Sequence, residues 1–207
     1  MRLLLSDGSG LTSRQVATLA ARAGHTVEVL SPTRFGPAGF TRHVRRVHRV
    51  PAFGTDPFAW LEAAVAVLSA GRFDVLVNNA GIYLGKNIFD YDSENIDKVL
   101  AVNIKGYIYF CQMFGKLLIS SQKRGSIINI SSVSGIEGSS DAIYGCSKAA
   151  ILGLTKSCAI NFSPYIRVNA IAPTMVATPM MQTIPEWRKK EYLAQELIDK
   201  PVLPEDV

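Results

Sequence analysis

Tyr144 and Lys148 stand four residues apart, so on a helix they share one face. Ser132 precedes that tyrosine, and Asn103 and the run Asn78-Asn79-Ala80-Gly81 lie further upstream. Together these side chains suit proton transfer at a carbonyl or alcohol oxygen. A free phenol has a pKa near ~10 and is a poor acid or base at neutral pH. An ammonium about 4 Å away, at an effective dielectric of about 20, favours the phenolate by about 4 kcal/mol. At roughly 1.4 kcal/mol per unit, the phenol pKa is expected to fall by up to about three units. That brings Tyr144 towards the range where general acid–base catalysis is efficient. On this reading Ser132 holds the reacting oxygen, and Asn103 anchors a water that links Lys148 to solvent.

The elements that must carry these residues follow from the apolar pattern. Asp74–Val77, Ser126–Ile130 and Arg167–Ile171 are short apolar runs that read as parallel strands. They end at Asn78, at Ser131-Ser132 and just before Pro173. Helices are predicted over about Ser93–Ser120, with Ser93 as N-cap, and about Ala142–Phe162. The second carries Tyr144 and Lys148 near its start. Earlier in the chain, Arg2–Leu5, Thr26–Leu30 and His48–Val50 read as strands. Thr12–Ala23 reads as a helix with Thr12-x-x-Gln15 as a capping box, and Asp56-Pro57 opens a helix to about Ala70. Alternating strands and helices imply an α/β fold, a doubly wound, Rossmann-like parallel sheet in three layers. Ligands of such sheets bind beyond the carboxyl ends of the strands, and every residue singled out above falls there.

From about Phe73 to Val207 the chain resembles the short-chain dehydrogenase/reductase superfamily. The matching residues are Asn78-Asn79-Ala80-Gly81, Val102-Asn103-Ile104-Lys105-Gly106, Ile130-Ser131-Ser132 and Tyr144-Gly145-Cys146-Ser147-Lys148. Arg167–Pro173, followed by Thr178-Pro179-Met180, also matches. The resemblance implies an NAD(P)-dependent oxidoreductase acting on a carbonyl or secondary alcohol, with Asn103, Ser132, Tyr144 and Lys148 catalytic. Ser132 fits better than Ser131 because two residues separate it from Gly135, as in the family. Cofactor contacts are implied at Gly8, Ser9, Gly10, Asn79, Ala80, Gly81, Tyr144, Lys148, Pro173, Val176 and Thr178. Thr174 departs from the glycine usual after that proline. The family commonly associates through the helices that carry Asn103 and Tyr144, which implies a homo-oligomer. Met180–Lys200 is expected to form a flap over the substrate, with Leu193, Leu197 and Ile198 pointing inward. A Pro-acidic-acidic stretch, here Pro204-Glu205-Asp206, begins the last long helix of the family, and a final strand follows it. With that strand missing, Arg167–Ile171 is expected at the sheet edge.

The first third has a different composition. Residues 1–77 contain no Lys, Ile, Asn, Tyr or Cys, whereas the remaining 130 hold 10 Lys and 17 Ile. Both parts need buried strands and exposed helix faces, so position in a fold does not account for the change. It suggests a fusion with a seam at about residues 73–78. Residues 1–73 resemble the N-terminal domain of ATP-grasp ligases, through Leu3-Leu4-Leu5-Ser6-Asp7-Gly8-Ser9-Gly10 and Arg45–Pro51. The seam falls at a strand, so residues 1–207 are expected to form one domain. Two readings follow: an active oxidoreductase, or a chimeric Rossmann-like scaffold without catalysis. An ATP-grasp ligase is a poor third, because the chain has no room for the nucleotide-grasping domains.

The turn after the first strand reads Gly8-x-Gly10-x-x-Ser13. A helix N-terminus there offers backbone N–H groups to phosphate. Asp7 opposes this with its charge, and Ser13 puts a side chain where a glycine is wanted. No acid follows the second strand, and Arg34 can meet a 2′-phosphate, so NADP is preferred over NAD. Phe53 stands where the resemblance implies an adenine-binding aspartate. The basic run Arg42–Arg49 reads as a solvated face, because a net charge of +5 is modest and no nucleic-acid module accompanies it. No apolar run is long enough to span a membrane, and Cys111, Cys146 and Cys158 lack metal-ligand spacing. A cytoplasmic setting, a small-molecule substrate and no metal are expected.

Overall fold

The structure is a computed structural model that describes residues 1–8, 11–34, 36–52, 55–177, 184, 186–194 and 202–203, with no side chains described at 11, 12, 40 and 57. Six strands form one fully parallel sheet: β1 (Arg2–Leu5), β2 (Thr26–Ser31), β3 (Val44–Arg49), β4 (Val75–Asn78), β5 (Gly125–Ile130) and β6 (Ile166–Ile171). Their order is β3-β2-β1-β4-β5-β6, so the winding reverses between β1 and β4. Those two strands pair Leu3 with Val75, Leu4 with Leu76 and Leu5 with Val77. The expected α/β class is therefore found, with β6 at one edge of the described sheet.

Parallel strands need cover on both faces, and alternate residues supply two cores. Leu4, Leu76 and Ile127 point to one side, under Trp60 of α2 (Pro57–Ala70) and Phe110 and Phe114 of α4 (Gly106–Ser120). Leu3, Leu5, Val75 and Val77 point to the other side, against Ala17 of α1 (Leu11–Arg22). Asp56 caps α2 by accepting from Ala59 N at 2.9 Å, as the Asp-Pro start predicts.

Local details differ from expectation. β3 runs over Val44–Arg49 rather than starting at His48. Part of its basic run is used internally: Glu28 is buried, and its carboxylate meets His48 Nε2 and Arg2 at 2.6 Å each. α1 begins at Leu11, so Thr12 lies inside the helix rather than before it, and Gln15 Oε1 has no hydrogen-bond partner among the described residues. The helix expected over Ser93–Ser120 is broken into α3 (Ser93–Leu100), a π-helical turn (Ala101–Lys105) and α4. Its N-cap is Asp92, which accepts from Asn95 N at 2.7 Å, rather than Ser93. A carboxylate one residue earlier reaches the free N–H groups that a serine inside the helix cannot.

Candidate active site

The π turn carries Asn103. Such a turn packs one extra residue and redirects a side chain. Asn103 is wholly buried. Its Nδ2 donates to Ile82 O and Ser147 Oγ, both at 3.0 Å, and its Oδ1 accepts from Ile82 N at 2.9 Å. It ties the chain after β4 to α5 (Ala142–Asn161).

Tyr144 and Lys148 lie on the first turns of α5, as predicted. Lys148 Nζ donates to Ile130 O at 3.0 Å, at the end of β5, and lies 5.5 Å from the Tyr144 ring centroid. The Tyr107 hydroxyl donates to the same carbonyl at 3.0 Å. Lys148 is only 4% exposed, and burial lowers its pKa to about 8. Tyr144 moves opposite to the sequence expectation. Burial pushes it up to about 12, partly offset by a hydrogen bond with the Ser132 hydroxyl. The expectation placed a charge beside the phenol in a wet site. In the fold the ammonium is engaged by Ile130 O, and removal of water from the phenol dominates.

Ser131 and Ser132 divide their roles. Ser131 is buried, and its hydroxyl donates to Lys148 O at 2.7 Å, pinning α5 to β5. Ser132 begins the short turn Val133–Gly135, accepts from Ser134 N at 3.1 Å and meets the Tyr144 hydroxyl.

These groups open on a cleft of about 840 Å³. Its lining includes Asp7, Gln15, Asn79, Gly81, Ser132, Tyr144, Lys148, Pro173, Val176, Arg188 and Tyr192. Ala80 is half-buried between Asn79 and Gly81. Asn103 stands behind the cleft. Gly8 packs on β2: its N–H donates to Leu30 O at 2.6 Å, and a Cβ there would sit 2.9 Å from Val29 Cγ2. A glycine there lets the loop after β1 lie close against β2. Ser9, Gly10, Phe53 and Thr178 lie outside the described residues, as do Leu197, Ile198 and residues 204–207. Arg34 is exposed beyond the end of β2.

Other sequence expectations are corrected by packing. Ser13 is fully buried, and its hydroxyl accepts from Asn79 Nδ2 at 3.1 Å, joining α1 to the chain just after β4. Thr174 donates to the Tyr192 hydroxyl at 2.9 Å, which ties α6 (Glu186–Leu193) to the segment after β6. That helix turns Arg188, Glu191 and Tyr192 to the cleft, residues spaced three and four apart. Leu193 therefore faces away and is 50% exposed, not an inward anchor. Asp141 escaped the sequence reading. Asp141, three residues before Tyr144, had an N-cap signal that could have been read.

The chain belongs to the short-chain dehydrogenase family: the model of that family, described as short chain dehydrogenase, matches residues 8–189. This stretch includes the compositional break. The chain is 40% identical to the 3-oxoacyl-(acyl-carrier-protein) reductase FabG of Thermotoga maritima over 139 residues, 66% of this chain and 56% of that protein. It is 33% identical to the cyclopentanol dehydrogenase of a Comamonas strain over 184 residues, 86% of this chain and 72% of that one. Among solved structures it resembles ElxO with NADP bound, with a TM-score of 0.81 and 27% identity over 98% of this chain and 86% of that chain. It also resembles the aldohexose dehydrogenase of Thermoplasma acidophilum, with a TM-score of 0.77 and 25% identity over 99% of this chain and 82% of that chain. Among the described residues no helix is long and apolar enough to cross a membrane, and no cluster of His, Cys, Asp or Glu is placed to hold a metal ion.

Proposed function

We propose that the chain is an NAD(P)-dependent oxidoreductase that interconverts a carbonyl and a secondary alcohol. The observation that carries this reading is that Ser132, Tyr144 and the buried Lys148 line one cleft at the carboxyl ends of the strands. With its pKa near 12, Tyr144 is protonated at neutral pH and can give a proton to a carbonyl oxygen. Ser132 holds that oxygen. Lys148, cationic below about pH 8, stabilises the phenolate left behind. Gly81 leaves space between the two groups that would resupply the proton: a Cβ there would lie 3.5 Å from Lys148 Nζ and 3.6 Å from Asn103 Oδ1.

A nicotinamide cofactor would supply the hydride. The chain fits one beside Tyr144 and Lys148, where Gly81 carries no side chain to fill the cleft. At the α1 end, the buried Gln15 Oε1 without a partner among the described residues can accept from the rest of the cofactor, while Asp7 disfavours a phosphate close to it. ElxO was solved with NADP, and the exposed Arg34 is compatible with NADP in preference to NAD. Residues 1–207 act as one domain in this reading, in a cytoplasmic setting. Two copies associate through α4 and α5, where Ile108 and Ile160 are exposed.

Titration with NADPH and NADH, followed by cofactor fluorescence, tests the reading: saturable binding of one is expected, and no binding of either at millimolar concentration would sink it. The second reading, a fused scaffold without catalysis, is motivated by the compositional break. It predicts that Tyr144→Phe changes no measurable property. The pairing of β1 with β4 and the family match on both sides of the break support a single reductase-type unit instead.

A further inference from the structure

We propose that Asp141 is a positioning residue that clamps the segment 82–91 to the start of α5 and so fixes Tyr83 against Tyr144. This rests on the oxidoreductase reading and goes beyond it. Asp141 is 1% exposed. Its Oδ1 accepts from Tyr144 N at 3.0 Å and from the Tyr91 hydroxyl at 2.7 Å. Its Oδ2 accepts from Gly85 N at 2.9 Å. One carboxylate therefore holds two parts of the chain that are more than fifty residues apart. A helix cap needs only the bond to Tyr144 N, and serine or asparagine can make it. The two bonds to the loop are additional. Gly85 has φ +69°, a conformation that a side chain would strain, and it turns its N–H towards the carboxylate.

Tyr83 lies two residues before Gly85 and lines the cleft. Its ring meets that of Tyr144 edge-on, with centroids 5.1 Å apart at 84°. An edge-on pair is weak and does not by itself hold a loop. The bonds from Asp141 to Gly85 and Tyr91 bracket the segment after Tyr83, so the carboxylate sets how far the Tyr83 wall stands from the proton donor. Substrate orientation at the carbonyl depends on that separation.

Asp141→Ser keeps a cap for Tyr144 N and loses both loop bonds. Tyr91→Phe removes one loop bond and leaves α5 untouched. Amide hydrogen exchange of residues 83–91 should quicken in both variants, more in Asp141→Ser. In NADPH- or NADH-dependent reduction of cyclopentanone and 2,3-butanedione, KM for the carbonyl compound should rise about tenfold in Asp141→Ser and less in Tyr91→Phe, with kcat changed less and cofactor Kd unchanged. Unchanged exchange would overturn the clamp. Quicker exchange with KM for the carbonyl compound within twofold of wild type would reduce Asp141 to a structural cap and overturn its positioning role. Wild type inactive on both compounds would overturn the oxidoreductase reading and this inference with it, an outcome distinct from an active wild type whose variants match it.

Discussion

Gly135 lies against the backbone of Lys148: a Cβ on the glycine would come within 2.5 Å of the Lys148 carbonyl carbon. The turn that presents Ser132 and the helix that presents Tyr144 and Lys148 are thus packed backbone to backbone. Ser131 adds a hydrogen bond to Lys148 O at 2.7 Å. Ser132, Tyr144 and Lys148 are set relative to one another by main-chain contact rather than by adjustable side chains.

Gly135→Ala should therefore push the Ser132 turn away from α5. Overpacking against backbone is expected to cost about 1–3 kcal/mol. Urea denaturation would show it as a lower midpoint, and an unchanged midpoint would mean the turn moves freely.

Tyr144→Phe keeps the ring that packs on Tyr83 and removes the hydroxyl proposed as the proton donor. Carbonyl reduction should fall about 10²–10⁴-fold, with cofactor affinity and thermal midpoint little changed. A variant as active as wild type would assign the proton to another group.

Lys148 gives stability a pH dependence of known sign. Its pKa falls from an ordinary 10.5 to about 8 in the fold, because burial disfavours the charge. Between those values the unfolded chain binds a proton that the folded chain has lost, so stability rises with pH over that window. Below about pH 8 both states are charged and the full cost of the buried ammonium is present. That cost is on the order of 3 kcal/mol. In Lys148→Met the gain in stability over wild type should be greatest near pH 7 and shrink towards pH 10, measured by denaturation midpoints. A difference that stays constant across that range would contradict the assignment.

Gly81→Ala separates folding from function. Its Cβ would make ordinary contacts at 3.5 and 3.6 Å, so the thermal midpoint should hold. The space between Lys148 and Asn103 would close, and NADPH or NADH binding should weaken about tenfold, or 1.4 kcal/mol. Equal affinity would place the cofactor away from Gly81.

Much of this was legible along the chain because the signals are local. The runs at β4, β5 and β6 are apolar and end in Asn78, Ser131-Ser132 and the Pro173 segment, so periodicity alone places those ends together on a parallel sheet. The spacing of Tyr144 and Lys148 fixes their common helix face. The break in the helix at Asn103 was not legible, because α4 is apolar on most of its faces and hides the one-residue shift of phase that a π turn introduces. Nor was the burial of Ser13, whose hydroxyl is satisfied by Asn79, sixty-six residues away.

The sequence by itself determined the fold class, the family and the order of the candidate site residues, since these depend on residue type and short-range spacing. Only the tertiary structure decided the proton affinities and the supports. Burial raised Tyr144 and lowered Lys148, the reverse of what charge proximity predicts for the phenol, because the loss of water depends on what packs around a group. Likewise Asp141 gained its loop partners from a segment distant in sequence, which no local pattern encodes.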